Sequence, residues 1–326
     1  MARKQPTIDP NDIRIFSGSS HPALAQGIAD YLRVPLDATH FKRYSNDNLS
    51  IQLGASVRSR AVFIVQSLTP PASEHLLELL MMLDIAHSAA AREIHAIIPY
   101  FSYARSDKKN APRISITARL IADLLETAGA THVMTMALHS PQVHGFFNIP
   151  TDPLTARALF VKHFHNRKLK NTVVIAPDAG RAHSASRFAS LLKLPSIAAE
   201  KVRISDTEVR IGELVGKQVR GFRHAIIYDD EIATGGSVAA LCKLLIENRI
   251  EEISVVCTHG VFTEHSIEKL SAISQIKEIV TTDTVPHPKE KHPPLIKVLS
   301  VASVFGEAIR RNYLRQSVGD LFTFGE

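Results

Sequence analysis

The chain has 326 residues, 45% of them hydrophobic and 21% charged, with a formal charge of +6 at pH 7. That length suits two domains of ordinary size, each with its own core, and the composition is ordinary for a soluble globular protein. No apolar run reaches membrane-spanning length, since even residues 76–85 are interrupted by Glu78 and Asp84.

The start, Met1-Ala2-Arg3-Lys4-Gln5-Pro6, lacks the apolar core of a signal peptide. The two cysteines, Cys242 and Cys257, both sit in apolar runs. Buried thiols in a reducing cytoplasm are therefore expected, rather than a disulfide framework. The basic residues are dispersed and no aromatic-rich reading surface accompanies them, which argues against nucleic acid as a partner. Highly phosphorylated small ligands account for the positive balance equally well.

Taken in order, Ile13-Arg14-Ile15-Phe16 reads as a strand that ends in the turn Ser17-Gly18-Ser19-Ser20-His21-Pro22. Pro22 stands near the first position of a helix whose face is marked by Leu24, Ile28 and Leu32. Strands follow at 61–66, 95–99 and 133–138, with helices at 74–90 and 115–128 between them. For the second helix Ile116, Leu120, Ala122, Leu124 and Leu125 are expected to supply the apolar surface, and Gly129 to stop it. The alternation resumes with strands at 172–176, 224–228 and 253–258 and helices at 184–194 and 237–247. Strands alternating with helices of this length predict parallel sheets with helices on both faces. Residues 199–213 are charged and weakly patterned and read as a mobile loop, and residues 286–294, rich in proline, as a surface loop. In an open α/β sheet, ligands bind outside the carboxyl ends of the strands. That rule places five polar loops near one another, at 17–21, 99–110, 138–144, 177–184 and 229–237.

The last of these is the most informative. His224-Ala225-Ile226-Ile227-Tyr228 is short and apolar, as a covered parallel strand would be, and Asp229 and Asp230 stand at its end. Thr234-Gly235-Gly236-Ser237 then opens a helix. Small residues let backbone N–H groups approach a ligand, and a helix N-terminus attracts anions. Two carboxylates beside such a cradle suit sugar hydroxyls or a metal bound to them, so the whole string reads as a sugar-phosphate site.

The string resembles the phosphoribosyl-diphosphate motif of type I phosphoribosyltransferases, and further markers narrow the resemblance to ribose-phosphate diphosphokinases. These are Phe16-Ser17-Gly18-Ser19-Ser20-His21, Tyr103-Ala104-Arg105 with Asp107-Lys108-Lys109, Gly145-Phe146-Phe147, Pro177-Asp178-Ala179-Gly180 and Thr258-His259-Gly260. The resemblance runs from about Ile13 to Phe322. It implies two type I phosphoribosyltransferase-like domains, each a mostly parallel sheet flanked by helices. They are expected at 12–155 and 156–307, with 308–326 packing back on the first. It implies ATP and ribose 5-phosphate as substrates, Mg²⁺ as the metal, and homodimers building to hexamers.

Carried over by position, Tyr44, Asn46 and Asn48 fall in the loop that receives adenine from a neighbouring subunit. Arg105, Ser106, Asp107 and His139 complete the ATP side, and His139 and Asp178 match metal-site positions. Lys201 and Arg203 match the catalytic pair that closes over the transferring diphosphoryl group. Asp229, Asp230, Thr234, Gly235, Gly236 and Ser237 match the ribose-5-phosphate cradle. Three positions where the family usually carries an acid are Ala137, Ala233 and Asn48 here. A charged hydrogen bond contributes about 1.5–3 kcal/mol, so the alternative implied is a catalytically weak paralogue that associates with an active synthetase. Glu231, next to the acid pair, is a candidate substitute.

Overall fold

The computed structural model describes residues 8–199, 201–203, 209–211, 213–263, 265–287 and 293–322. The chain divides into two compact units: Met1–Thr155 with Thr284–Pro286 and Ser300–Glu326, and Ala156–Asp283 with His287–Leu299.

In the first unit, β1 (Ile13–Ser17) leads into α1 (Pro22–Leu32), and a hairpin of β2 (Thr39–Arg43) and β3 (Leu49–Leu53) follows. Next come β4 (Ala61–Val65), α2 (Ala72–Ser88), β5 (Glu93–Ile98), α3 (Thr117–Thr127), β6 (His132–Met136) and β7 (Thr151–Leu154). The five-stranded sheet has the order β1-β4-β5-β6-β7, and every pairing in it is parallel. Parallel strands covered on both faces read as continuous apolar runs, and Ala61-Val62-Phe63-Ile64-Val65 is buried throughout. At the start of α1, His21 Nδ1 accepts the Leu24 N–H at 3.2 Å and Pro22 occupies the first turn, so the sequence signal and the cap coincide.

On α3 the inward face is Ala118, Ile121, Ala122 and Leu125. Leu120 and Leu124, expected to face the core, are 50% and 37% exposed. The helix carries apolar residues on more of its circumference than the sheet covers, so sequence alone selects the wrong pair. The chain returns to this unit at Ser300, where α9 (Ala302–Tyr313) packs on α1; Tyr31 Oη donates to Glu307 at 3.0 Å and the Thr155 N–H to the Leu321 carbonyl at 3.0 Å.

The second unit contains α4 (Arg157–Phe164), β8 (Thr172–Ala176), α5 (Ala182–Leu191), β9 (Ser196–Ala198), β10 (Lys201–Arg203), β11 (Val209–Ile211) and α6 (Glu213–Gln218). After these come β12 (His224–Ile232), α7 (Gly236–Glu247), β13 (Glu252–Gly260), α8 (Ser266–Ser271), β14 (Ile276–Thr282) and β15 (Ile296–Leu299). The six-stranded sheet, β15-β14-β13-β12-β8-β9, is again parallel throughout. Two parallel sheets flanked by helices are the expected fold class.

Two local differences matter. The stretch expected as a weakly patterned, mobile loop at 199–213 contains an antiparallel pair, β10 with β11, in which Lys201 lies opposite Ile211 and Arg203 opposite Val209. Its tip, 204–208, lies outside the described residues, as do 288–292 of the expected proline-rich surface loop. Second, β12 runs four residues beyond Tyr228. Its pairing with β8 stops at Ile227, whereas pairing with β13 continues through Asp229, Glu231 and Ile232. The acids therefore belong to a strand with one flank closed by β13 and the other open to the 177–184 loop.

Candidate active site

The ribose-type turn is built from the end of β12. Asp230 is buried and Asp229 is half-buried, with the Asp230 N–H donating to Asp229 Oδ1 at 2.8 Å. Burial raises the Asp229 carboxyl well above the usual carboxylate range, and the adjacent charge of Asp230 adds to the rise. On the open flank, Arg181 Nη1 stands 3.6 Å from Asp230 Oδ2, with the two side chains 12% and 6% exposed. Below them Tyr228 stacks on Phe188, ring centroids 4.6 Å apart, and burial pushes its hydroxyl up to about 12 while Arg157 hydrogen-bonds to it.

Past Ile232 the chain turns through Ala233 and Thr234 to Gly235, whose φ of 70° is left-handed. Glycine takes that conformation without the Cβ clash that penalises other residues. Gly235 is the N-cap of α7 and has no side chain with which to cap it. The first turn of α7 thus offers backbone donors, with the positive end of the dipole, to an anion rather than to its own cap. Thr234, Gly236 and Ser237 are exposed around that turn.

Asp178 is half-buried at the end of β8 and caps the next turn, its Oδ1 accepting the Arg181 N–H at 3.2 Å. Lys201 and Arg203 lie on β10. In the same unit, Glu231 is half-buried and sits opposite the buried His259 in the ladder.

In the first unit the expected nucleotide residues are spread over three loops. Tyr44, Asn46 and Asn48 occupy the tip between β2 and β3, closed by hydrogen bonds from the Tyr44 N–H to the Asn48 carbonyl and from the Asp47 N–H to the Tyr44 carbonyl, both 2.9 Å. Tyr44 is 48% exposed, with Lys42 Nζ 4.8 Å from its ring centroid. Arg105, exposed, ends a 3-10 turn that starts at Ser102, and the half-buried Ser106 and Asp107 follow it. His139 is half-buried just beyond β6, two residues after Ala137, whose φ of 44° is left-handed.

The 17–21 loop is fixed from below by the buried Glu78. The carboxylate accepts the Ser19 N–H at 3.1 Å and the Ser19 hydroxyl and Gln66 Nε2 at 2.7 Å. A Cβ on Gly18 would lie 2.2 Å from Gln66 Oε1, so a larger residue would push the Gln66 amide off its Ser20 and Glu78 partners.

Among the described residues no three His, Cys, Asp or Glu side chains gather as a metal cage.

Arg181 and Arg157 are the site residues that sequence reasoning missed. A signal for Arg181 existed. It directly follows the Pro177-Asp178-Ala179-Gly180 marker and precedes α5, where the positive helix end disfavours a cation unless an acid is close.

Residues 13–129 match the N-terminal domain of ribose phosphate pyrophosphokinase, and residues 204–323 the phosphoribosyl synthetase-associated domain. A relative from Streptomyces coelicolor is 46% identical over 311 residues, covering 95% of this chain and 98% of its own. The ribose-phosphate pyrophosphokinase of Deinococcus radiodurans is 43% identical over 318 residues, 95% of this chain and 97% of that one. The crystal structure of phosphoribosylpyrophosphate synthetase from Mycobacterium smegmatis superposes with a TM-score of 0.86 at 33% identity, covering 93% of this chain and 99% of that chain. With identity at this level along nearly the whole length, and a turn of this geometry at the end of β12, the chain belongs to the ribose-phosphate pyrophosphokinase family.

Proposed function

We propose that the protein is a ribose-phosphate diphosphokinase that transfers the diphosphoryl group of ATP to the 1-hydroxyl of ribose 5-phosphate. The 1-hydroxyl oxygen attacks the β-phosphorus, the bond from that phosphorus to the α–β bridging oxygen breaks, AMP leaves, and the hydroxyl proton passes to solvent. The observation that carries the reading is the α7 N-terminus opened by the left-handed Gly235, which has no capping side chain, close in sequence to the half-buried Asp229 and the buried Asp230.

The first turn of α7, with Thr234, Gly235, Gly236 and Ser237, holds the 5-phosphate. Asp229 and Asp230 take the ribose hydroxyls. Burial, and after it the adjacent Asp230 charge, raises the Asp229 pKa above the usual carboxylate range. Tyr44, Asn46, Asn48, Arg105, Ser106, Asp107 and His139 bind ATP, and the half-exposed Tyr44 at a hairpin tip supports adenine binding at a contact between subunits of a homo-oligomer, dimers building to hexamers. Lys201 and Arg203 neutralise charge developing on the transferred group, which is where catalysis of this kind of transfer resides. Asp178 and His139 are the side chains that would hold Mg²⁺. When bound, Mg²⁺ neutralises the phosphate oxygens and orients them. Among the described residues no helix is long and apolar enough to cross a membrane, which is compatible with a cytoplasmic enzyme.

The test is AMP formation from ATP in Mg²⁺, with and without ribose 5-phosphate. AMP that depends on the sugar phosphate is expected. Its absence in both Mg²⁺ and Mn²⁺ would leave the second reading, a catalytically weak subunit of an active synthetase, which the alanines at 137 and 233 and Asn48 favour.

A further inference from the structure

The pairing of Arg181 with the acid pair has a specific physical cause. Strand β8 ends at Ala176 and its ladder with β12 stops at Ile227, so no strand pairs with Asp229 and Asp230 on that side, where the turn Ala179–Arg181 follows instead. Arg181 fills the gap. Its own backbone is pinned by Asp178, which accepts the Arg181 N–H. Arg181 is itself the N-cap residue of α5, an end of the helix where the dipole opposes a positive charge. Two adjacent, largely buried carboxylates offset that cost, because a cation within about 4 Å of them relieves both the mutual repulsion and the burial of charge. The Coulombic pull of Arg181 on Asp229 as well as on Asp230 has the same sense.

We infer that Arg181 is a positioning residue of the ribose site, whose guanidinium holds the Asp230 carboxylate in the orientation that meets the ribose hydroxyls. The inference rests on the reading of 229–237 as the ribose 5-phosphate site. Arg181 acts through Asp230 and has no role of its own on the sugar. Its loss should therefore weaken sugar binding only while Asp230 is present.

The experiment is a double-mutant cycle on ribose 5-phosphate affinity, measured by calorimetry on the full chain, with thermal unfolding of each variant alongside. The four proteins are the unmodified chain, Arg181→Ala, Asp230→Asn and both together. Arg181→Ala is expected to weaken binding about tenfold, the scale of one ion-pair contact of roughly 1.4 kcal/mol, with ATP affinity within about twofold of the unmodified protein. The double variant is expected to bind no more weakly than Asp230→Asn alone. Arg181→Lys should recover part of the loss, since it restores the charge without the planar fork.

Equal affinity of Arg181→Ala and the unmodified chain would overturn the inference while leaving the reading of the site intact. Losses that add in the double variant would overturn it too, since they would mean that Arg181 acts independently of Asp230. An unmodified chain that does not bind ribose 5-phosphate would overturn the reading of the site and the inference with it. Should Arg181→Ala fail to fold, Arg181→Lys carries the same cycle, with an expected loss of about threefold; no loss there would overturn the inference.

Discussion

The turn proposed for the sugar phosphate in the second unit and the loops proposed for the nucleotide in the first are placed by different means. Asp229 and Asp230 belong to a strand, their backbone held by the β13 ladder and Asp230 braced by Arg181. Gly235 is set by a left-handed turn that opens α7. Tyr44, Asn46 and Asn48 instead stand on a hairpin tip closed only by local hydrogen bonds, and Arg105 is exposed at the end of a 3-10 turn. The lesson is energetic. A site that must bury two like charges has to be rigid, because each misplaced group costs several kcal/mol in a poorly solvated environment. A site made of exposed polar and aromatic residues can be completed by the ligand or by a neighbouring chain at little cost in the free protein.

The largest expected effect breaks the rigid half. Gly235→Val places a β-branched residue at φ 70°, with its Cβ 3.3 Å from Leu270 Cγ. Strain of about 1–3 kcal/mol should reduce ribose 5-phosphate affinity by tenfold or more, read by calorimetry. Gly236→Ala is the control, since a Cβ there meets nothing nearer than Thr234 Oγ1 at 3.8 Å. Comparable losses in the two variants would show that the left-handed turn is not what shapes the cradle.

Restoring charge comes next. Ala137 already has a left-handed backbone, a conformation aspartate tolerates better than most residues. Ala137→Asp combined with Ala233→Asp should raise AMP production about tenfold, one recovered interaction of roughly 1.4 kcal/mol. A fall in activity would mean that the acidic complement is already met, with Glu231 as the residue to remove next.

A smaller effect concerns titration in the first unit, away from the strand ends that carry the loops. His95 is buried, stacked on Phe63, with its Nδ1 3.0 Å from His132 Nδ1; Glu93 and Asp152 flank the pair. Burial, more than the neighbouring His132, lowers its pKa below 6.5, against the opposing pull of Glu93. With the folded pKa depressed, the unfolded chain takes up the proton first. Stability is therefore complete above the unfolded value and is lost as pH falls through about 6.5 toward the folded value. The unfolding temperature should drop between about pH 7.5 and pH 5.5, and His95→Gln should flatten that slope. An unchanged slope in the variant would assign the effect to other groups.

The smallest expected effect belongs to the hairpin tip. Tyr44→Ala removes a half-exposed ring, so stability should stay within about 0.5 kcal/mol and ribose 5-phosphate affinity should not move. The KM for ATP should rise a few-fold in the assembled enzyme. A loss of sugar affinity would abolish the distinction between the two halves.

Much of this molecule is local in origin. The apolar runs at 61–65 and 224–228, Pro22 after His21, and the small residues ahead of α7 state their strands, cap and turn within a few residues. Propensity and hydrogen-bond chemistry act at that range, so β12, α7 and the acid pair between them are legible in order. The resemblance carried by short motifs extends this to the family, because those motifs fall in the loops at the carboxyl ends of the strands, where ligand binding is proposed. What required the folded chain is whatever depends on a partner far along the sequence. The end of β12 lies at Ile232 because β13 is long enough to keep pairing there, while β8 is not. Leu120 and Leu124 face outward because the sheet covers only one side of α3. Residues 201–203 and 209–211 form a ladder through pairing that their weak periodicity does not announce. The contact of Arg181 with Asp230 joins residues 49 positions apart, by 3.6 Å across the open flank of a sheet. Patterns of period two or 3.6 report how one segment meets its surroundings; which charge waits on the other side is decided only when the strands take their places.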